Sequence, residues 1–306
     1  MRISSATVNN MATSSMSGAY TKYANIIQKI AENKNFTKIS ENVPDAVSLL
    51  KVKDQISELE GYQGNVQHAI NELNIVYDSL NNVTEEISAI NSLVVSASNG
   101  STTPDAAKAY ASEIEQRVGT ITDLMNVKYL DNYVFSGTYI KETPYTKDED
   151  GNINYNGSSK AAGNRNLMIS KDTKYAYNFT GEEIFGEQDG VNDFFAQMKD
   201  LVKLLNDEEG TGLDYDAIRE KLNILDKTSN NVAQKNGLVS TRVSKLTATQ
   251  EINADTINNL TEKRANIEEV DIIKAASDLA SAQTGLQASY LLGTNVLGGV
   301  SLLDYI

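Results

Sequence analysis

Between residues 218 and 267 the chain repeats at a strict 4-3 spacing, and this repeat restricts its possible folds more than any other feature. Ile218, Leu222, Leu225, Val232, Val239, Val243, Leu246, Ile257, Leu260 and Ile267 fall on the repeat, interrupted by Ser229, Asn236, Gln250, Asn253 and Arg264. Such a spacing places all these side chains on one stripe of an α-helix. About 50 helical residues rising 1.5 Å each give a rod of roughly 75 Å. A helix of that length is not covered by a compact core and requires a partner of matching length. Polar side chains at heptad positions fix the register of such a pair at some cost in stability.

The matching partner is residues 46–98. After Pro44-Asp45, a helix-start signal, the stripe runs through Leu49, Val52, Ile56, Leu59, Val66, Ile70, Leu73, Val76, Leu80, Val83, Ile87, Ile90, Val94 and Ala97. Gly61 and Gly64 are its weak point, each costing about 1 kcal/mol against Ala in a helix interior, and a kink or break is expected there. Asn99-Gly100 ends the pattern. Thr103-Pro104-Asp105 then supplies an N-cap, a first-turn proline and a first-turn acid for a third helix. Its buried face would be Ala107, Tyr110, Ile114, Val118, Ile121 and Met125. With only three prolines in 306 residues, little interrupts long helices.

From about residue 130 the pattern changes. Tyr133 to Tyr139 reads as a strand, and short β-type runs follow between turn signals at Asp150-Gly151, Asn156-Gly157, Ala162-Gly163-Asn164 and Thr180-Gly181. Helix resumes at Asp193 with Phe195, Met198, Leu201, Val202 and Leu205 as its apolar face. The fold class expected is mainly α: an elongated antiparallel coiled-coil helical bundle with a small inserted β-rich domain. Its long-helix core would be Leu73, Leu80 and Ile87 against Leu222, Leu225, Val239, Val243, Leu246 and Leu260.

Both chain ends carry further stripes. Met16, Tyr20, Tyr23, Ile27 and Ile30 are spaced 4-3-4-3. The segment from Glu268 to Ile306 carries Ile272, Ala276, Leu279, Ala282, Leu286, Tyr290 and Gly293 on a background rich in Ala, Ser and Gln. Two amphipathic end helices without a core of their own are expected to find apolar partners in other copies of the chain. The candidate assembly residues are therefore Met16, Tyr20, Tyr23, Ile27, Ile30, Ile272, Ala276, Leu279, Leu286 and Tyr290.

Composition excludes several function classes. The net charge of −14 and the lack of a Lys/Arg-dense stretch argue against nucleic-acid binding. The basic excess of Arg2, Lys22, Lys29, Lys34 and Lys38 over Glu32 and Glu41 reads as a solvated helix face. No cysteine is present, so disulfides, thiolate metal sites and cysteine catalysis are excluded. No window supplies the roughly 18 apolar residues of a membrane span. The start Met1-Arg2-Ile3-Ser4-Ser5-Ala6-Thr7 lacks the apolar run of a secretory leader, so an extracellular location would need a dedicated exporter.

Motifs for chemistry are few. His68 is the single histidine and sits mid-helix, so neither a Ser/His/Asp triad nor a His-rich metal cluster is assembled. Asp148-Glu149-Asp150-Gly151-Asn152 has the oxygens of a calcium loop at its start, but Ile153 replaces the required Gly and Ser159 the closing Glu. A hairpin turn is the better reading. The acid pairs Glu85-Glu86, Glu182-Glu183, Glu208-Glu209 and Glu268-Glu269 are adjacent in sequence and do not share a helix face. Gly298-Gly299 follows no strand and is no phosphate loop. Asn82 and Asn178 stand in Asn-x-Ser/Thr triplets of no weight without a leader. No enzyme, catalytic residue, cofactor or metal is expected.

Several segments together resemble the flagellin superfamily and, within it, the hook–filament junction proteins of the hook-associated protein 3 type. These are Met1-Arg2-Ile3-Ser4, Ala97-Ser98-Asn99-Gly100 before the capped helix, Tyr133-Val134-Phe135-Ser136-Gly137, and Gln234 to Val243 with Gly237 and Arg242. At the carboxyl end they are Val270-Asp271, Leu286-Gln287-Ala288-Ser289-Tyr290 and Ser301-Leu302-Leu303-Asp304-Tyr305-Ile306. The last of these favours junction protein over flagellin. The chain departs from the family between residues 32 and 46. There it has Glu32-Asn33-Lys34-Asn35-Phe36 and Asn42-Val43-Pro44-Asp45-Ala46 in place of a Gly-containing basic turn and Asn-x-Pro-Ser-Asp-Asp-Pro.

The resemblance implies a structural protein of the bacterial flagellum. It would be exported unfolded by the flagellar type III system after a cytoplasmic chaperone has bound its carboxyl-terminal helix. Outside the cell it would assemble with itself as a ring at the hook–filament junction, between the first hook-associated protein and the filament. Residues 1–40 and 269–306 would be terminal assembly helices of an inner tube, 41–135 and 192–268 a helical rod domain, and 136–191 a β-rich outer module. The alternatives are a divergent flagellin and a cytoplasmic coiled-coil adaptor or signalling protein.

Overall fold

The computed structural model describes residues 5–159, 163–188, 190, 193–208, 210 and 212–297. The chain divides into two units, Met1–Glu58 with Thr256–Ile306, and Leu59–Asp255. Long helices α1 (Ser5–Glu32), α2 (Val43–Ala97), α3 (Pro104–Met125), α7 (Leu222–Glu268) and α8 (Ile272–Leu297) dominate, so the fold is mainly α with a small β insert.

In the unit Leu59–Asp255, polar contacts set the directions of the long helices. Ser79 Oγ donates to the Leu124 carbonyl at 2.6 Å and Arg117 donates to Glu86 at 2.9 Å, which makes α2 and α3 antiparallel. Asn91 Nδ2 donates to Asp226 (3.3 Å), Asn236 Nδ2 to Asn81 Oδ1 (2.6 Å), and Gln250 Nε2 to Gln67 (2.7 Å). As the α2 number falls from 91 to 67 the α7 number rises by a matching amount, so these helices are antiparallel in one register. Their shared core is aliphatic. Leu73, Leu80, Ile87 and Val94 of α2, Ile114 and Ile121 of α3, and Leu225, Val232, Val239 and Leu246 of α7 are buried in one cluster.

Helix α2 runs unbroken through Gly61 and Gly64, so the break that the sequence allowed there does not occur. A Cβ at either glycine would meet nothing within 4 Å, so both lie on open surface and disturb no packing. The buried side chains on either side, Ile56, Val66 and Ile70, hold the helix through the weak turn. Helix α3 begins as the sequence predicts, with Pro104 in its first turn and the Thr103 hydroxyl accepting from the Ala106 amide.

The expected strand from Tyr133 to Tyr139 is corrected. Strand β1 (Lys128–Tyr129) pairs with β2 (Asn132–Tyr133), and the chain then turns. The reason is that Val134, Phe135 and Ser136 are all buried, and their backbone groups bond to several different segments. Val134 donates to Val127, while the Phe135 and Ser136 carbonyls accept from Gly181 and Ser158. Gly137 then takes φ +67°, and a Cβ there would collide with the Ser158 hydroxyl, so only glycine fits this turn.

Two further antiparallel hairpins follow, β3 (Tyr145–Lys147) with β4 (Ile153–Tyr155) and β5 (Asn166–Ser170) with β6 (Thr173–Ala176). Residues 148–152 form the β3–β4 turn, as the hairpin reading predicts. The Asp148 carboxylate accepts from the Asn152 amide and side chain and from Asn154, which holds its pKa below the usual range. Short α4 (Gly181–Phe185) carries a capping box between Thr180 and Glu183. Helix α5 (Phe194–Asn206) is capped by Asp193 and buries Phe194, Phe195, Met198, Leu201 and Leu205, and α6 (Tyr215–Glu220) precedes α7.

In the other unit, α1 and α8 pack on each other, together with the first turns of α2 and the last turns of α7. A single 3-10 turn, Ile39–Glu41, leads into α2. The Asn35 amide donates to the Glu268 carbonyl at 2.7 Å, Lys53 pairs with the Glu268 carboxylate at 2.8 Å, and Lys29 pairs with Glu41 at 3.3 Å.

Candidate assembly surface

The two end helices, expected to have no large core of their own, pack on each other within the chain as α1 against α8. A Cβ on Gly293 would stand 2.5 Å from the Met16 sulfur, and Lys22, Asn25, Ile26 and Lys29 share a groove with Val270, Asp271, Lys274 and Asp278. Early α1 thus meets late α8, and late α1 meets early α8: the pair is antiparallel.

The seam follows the heptad spacing. On α8 the covered residues are Ala275, Leu279, Ala282, Leu286, Ser289 and Gly293, spaced 4-3-4-3-4. Opposite them Ala12, Met16, Ala19, Tyr23, Ile26 and Ile30 of α1 are half-buried at the same alternation. Small side chains on α8 allow a close approach but remove little apolar area from water. Of the stripes expected from the sequence, Met16, Tyr23, Ile30, Leu279, Ala282, Leu286 and Gly293 therefore sit in this seam.

The remaining candidates flank it. Tyr20 is 59% exposed and Ile27 is also exposed, one heptad apart on α1. Ile272, Ala276 and Tyr290 are exposed on α8, joined by Ile273 at 86% and Leu291 at 68%. Met11 and Leu292 are exposed as well, and sequence reasoning missed them along with Ile273 and Leu291. Ile273, Leu291 and Leu292 each lie one position outside the stripe that was traced, and the adjacent apolar letters Ile272-Ile273 and Tyr290-Leu291-Leu292 were the available signal; Met11 lies before the first residue of the traced α1 stripe. Near the start of α2, Val43, Val47 and Leu50 are exposed beside the buried Ala46, Leu49 and Val52. These exposed apolar side chains lie beside the seam and are not covered within the described residues.

The long-helix candidates lie differently. Leu73, Leu80, Ile87, Leu225, Val239 and Leu246 are buried, while Leu222, Val243 and Leu260 are half-buried. Met1-Arg2-Ile3-Ser4, Ala162, Gly298-Gly299 and Ser301 to Ile306 lie outside the described residues.

His68 is half-buried and meets the Tyr129 ring edge-on at 5.0 Å between centroids. Among the described residues no group of three or more His, Asp or Glu is placed to hold a metal ion, and no helix is long and apolar enough to cross a membrane. The strongest polar cluster is a buried one that the sequence did not reveal. The Glu72 carboxylate accepts from both terminal nitrogens of Arg165 and, at 3.0 Å, from the Tyr177 hydroxyl. Burial, reinforced by the Glu72 charge, pushes the Tyr177 hydroxyl up to about 12. It therefore remains a proton donor at ordinary pH.

Residues 9–139 match the family model of the bacterial flagellin N-terminal helical region. No curated protein matches the chain. Among solved structures, a Vibrio parahaemolyticus chain assigned as a flagellar hook-associated protein aligns with TM-score 0.67 at 19% identity, covering 75% of this chain and 100% of that one. Flagellar hook-associated protein 3 of Legionella pneumophila aligns with TM-score 0.61 at 15% identity, over 69% and 96% of the two chains. FlgL of Bacillus cereus gives TM-score 0.54 at 16% identity, over 70% and 99%. The chain therefore carries a bacterial flagellin N-terminal helical region, set within the fold of the flagellar hook-associated proteins.

Proposed function

We propose that this protein is a structural, self-assembling component of the bacterial flagellum that serves as the adapter at the hook–filament junction. The observation that carries the reading is the flagellin-type helical region over residues 9–139, whose first helix pairs with α8 through small side chains and leaves Tyr20, Ile27, Ile273 and Leu291 exposed. Large apolar side chains beside a thin seam gain by burial against another copy, about 1.5–3 kcal/mol for each one fully covered.

In this reading α1 and α8 of successive copies build an inner tube from residues 1–40 and 269–306. Residues 41–135 and 192–268 form the rod and residues 136–191 the outer module. The protein reaches its position through the flagellar type III exporter, with a cytoplasmic chaperone holding the carboxyl-terminal helix, and it assembles as a ring on the first hook-associated protein. The filament then grows on the ring's far side.

A strain lacking the gene tests this, with flagella viewed by electron microscopy. Hooks without filaments, and filament subunits shed into the medium, are expected. Normal filaments on that strain would remove the junction role. A divergent flagellin is the second reading, favoured by the match to the flagellin helical region itself. It requires the protein to be the abundant species in sheared filaments, whereas a junction protein is scarce there.

A further inference from the structure

The β5–β6 hairpin touches both α2 and α7, and it does so with buried charge. From α2, Glu72 holds Arg165 and Tyr177, and Asn65 Nδ2 donates to the Met168 carbonyl at 3.1 Å. The side chain of Glu72 is 4% exposed and that of Arg165 is 16% exposed. From α7, Arg242 donates at 2.7 Å to the carbonyls of both Tyr177 and Asn178, and its guanidinium lies 4.0 Å from the Phe179 ring centre. Lys245 stacks over Tyr175 at 4.5 Å. The Asn178 side chain closes the base of the hairpin, accepting from the Arg165 amide and donating to the Gly163 carbonyl.

We propose that this hairpin is a clasp that locks α2 and α7 in a single axial register, with Glu72, Arg165, Tyr177 and Arg242 as its fastening. The need for a clasp follows from the apolar seam. Val66, Leu73, Leu80, Ile87 and Val94 repeat every seven residues on α2, and Leu225, Val232, Val239 and Leu246 do the same on α7. A slide of one heptad again sets aliphatic side chains against aliphatic side chains, so burial alone discriminates weakly between the two alignments.

The direct polar contacts discriminate weakly as well. Slid by seven in either direction, Asn236 would face Asn74 or Ser88 in place of Asn81, and both can hydrogen-bond. The hairpin is different, because a slide would pull the buried Glu72 carboxylate away from its arginine, or the half-buried Arg242 away from two carbonyls. Breaking one side of such a buried pair is strongly destabilising. Arg165 and Arg242 therefore specify the register that the heptads leave open.

The absence of cysteine allows a clean test in the full-length chain. Cysteines at positions 81 and 236 report the observed register; pairs at 81 with 229 and at 81 with 243 report slides of one heptad. In the otherwise unchanged chain, oxidation should close the first pair and leave the other two slow. In E72Q/R165Q the slid pairs should close about tenfold faster relative to the first, the effect of losing one charge-assisted hydrogen bond. The single variant R242M, which keeps an apolar stem against Phe179, should act in the same direction and stands in if the double variant fails to fold. A core variant, I121V, loosens the unit without touching the hairpin and should leave the slid pairs slow. The proposal is overturned if the slid pairs remain slow in a folded clasp variant, or if I121V accelerates them equally.

Discussion

The two units of this molecule use the same heptad arithmetic with different side chains. In Leu59–Asp255 the buried positions hold Leu, Ile and Val, capped by Phe135, Phe179 and Phe194, all fully covered. In the unit made of both chain ends, the buried α8 positions are Ala275, Ala282, Ser289 and Gly293, and the larger α1 residues opposite are covered only in part. Twelve of the eighteen large apolar side chains exposed among the described residues belong to that smaller unit. At about 0.8 kcal/mol per buried CH₂, a Leu-to-Ala difference at each seam position separates a self-sufficient core from a marginal one. The larger unit hides most of its large apolar side chains, while the terminal unit, apart from Leu49, Val52 and Ile56 of α2, leaves many of its own exposed.

The largest test of this contrast is to remove residues 270–306. The remaining chain should keep the cooperative thermal transition of Leu59–Asp255, while self-assembly measured by sedimentation falls to nothing. Loss of that transition together with assembly would show that the larger core is not self-sufficient.

Point substitutions sharpen the same contrast. Leu80→Ala empties a fully buried site between α2 and α7 and should cost about 2–5 kcal/mol in denaturant unfolding. Ile27→Ala, on the exposed flank of α1, should change stability by no more than about 0.5 kcal/mol, yet slow assembly at least as much as Leu80→Ala does. Equal stability losses at the two sites would mean that the flank of α1 is already covered within one chain.

Much of this was legible in the sequence wherever spacing alone decides. The strict stripe of α7 and its partner on α2 appear because periodicity survives every detail of packing, and Thr103-Pro104 marked the start of α3 by local capping chemistry. Spacing fails where long-range partners decide. Val134, Phe135 and Ser136 read as strand because they are β-branched, aromatic and small, but their backbone bonds go to Val127, Gly181 and Ser158, which no local pattern announces. Nothing in the local sequence singles out Glu72 on α2; only the fold brings Arg165, 93 residues away, against it. In the end helices the 4-3 stripes were traced one residue off the seam at alternate positions, with Tyr20 for Ala19 and Ile27 for Ile26 on α1, and Ala276 for Ala275 and Tyr290 for Ser289 on α8. That tracing mixes seam residues such as Met16 and Tyr23 with flank residues such as Tyr20, because at those steps the seam holds small residues, Ala19, Ala275 and Ser289, that hydrophobicity does not mark.

That small-residue seam gives the finest test, a comparison of two glycines within α8. Gly285 has nothing within 4 Å of where a Cβ would stand, so Gly285→Ala should gain the helix propensity of alanine, about 1 kcal/mol. Gly293 has the Met16 sulfur 2.5 Å from that point, so Gly293→Ala gains the same propensity but must displace Met16 from the seam. Overpacking typically costs about 1–3 kcal/mol, at the low end here because a methionine side chain can turn aside. The two substitutions should therefore differ by at least about 1 kcal/mol in the unfolding of the terminal unit, with Gly285→Ala the more stable. Shortening Met16 to Ala in the Gly293→Ala background should recover part of the difference. If both glycines respond alike, α1 and α8 are not in close contact at Met16, and the thin seam that sets this unit apart from the larger core is not the one the two helices use.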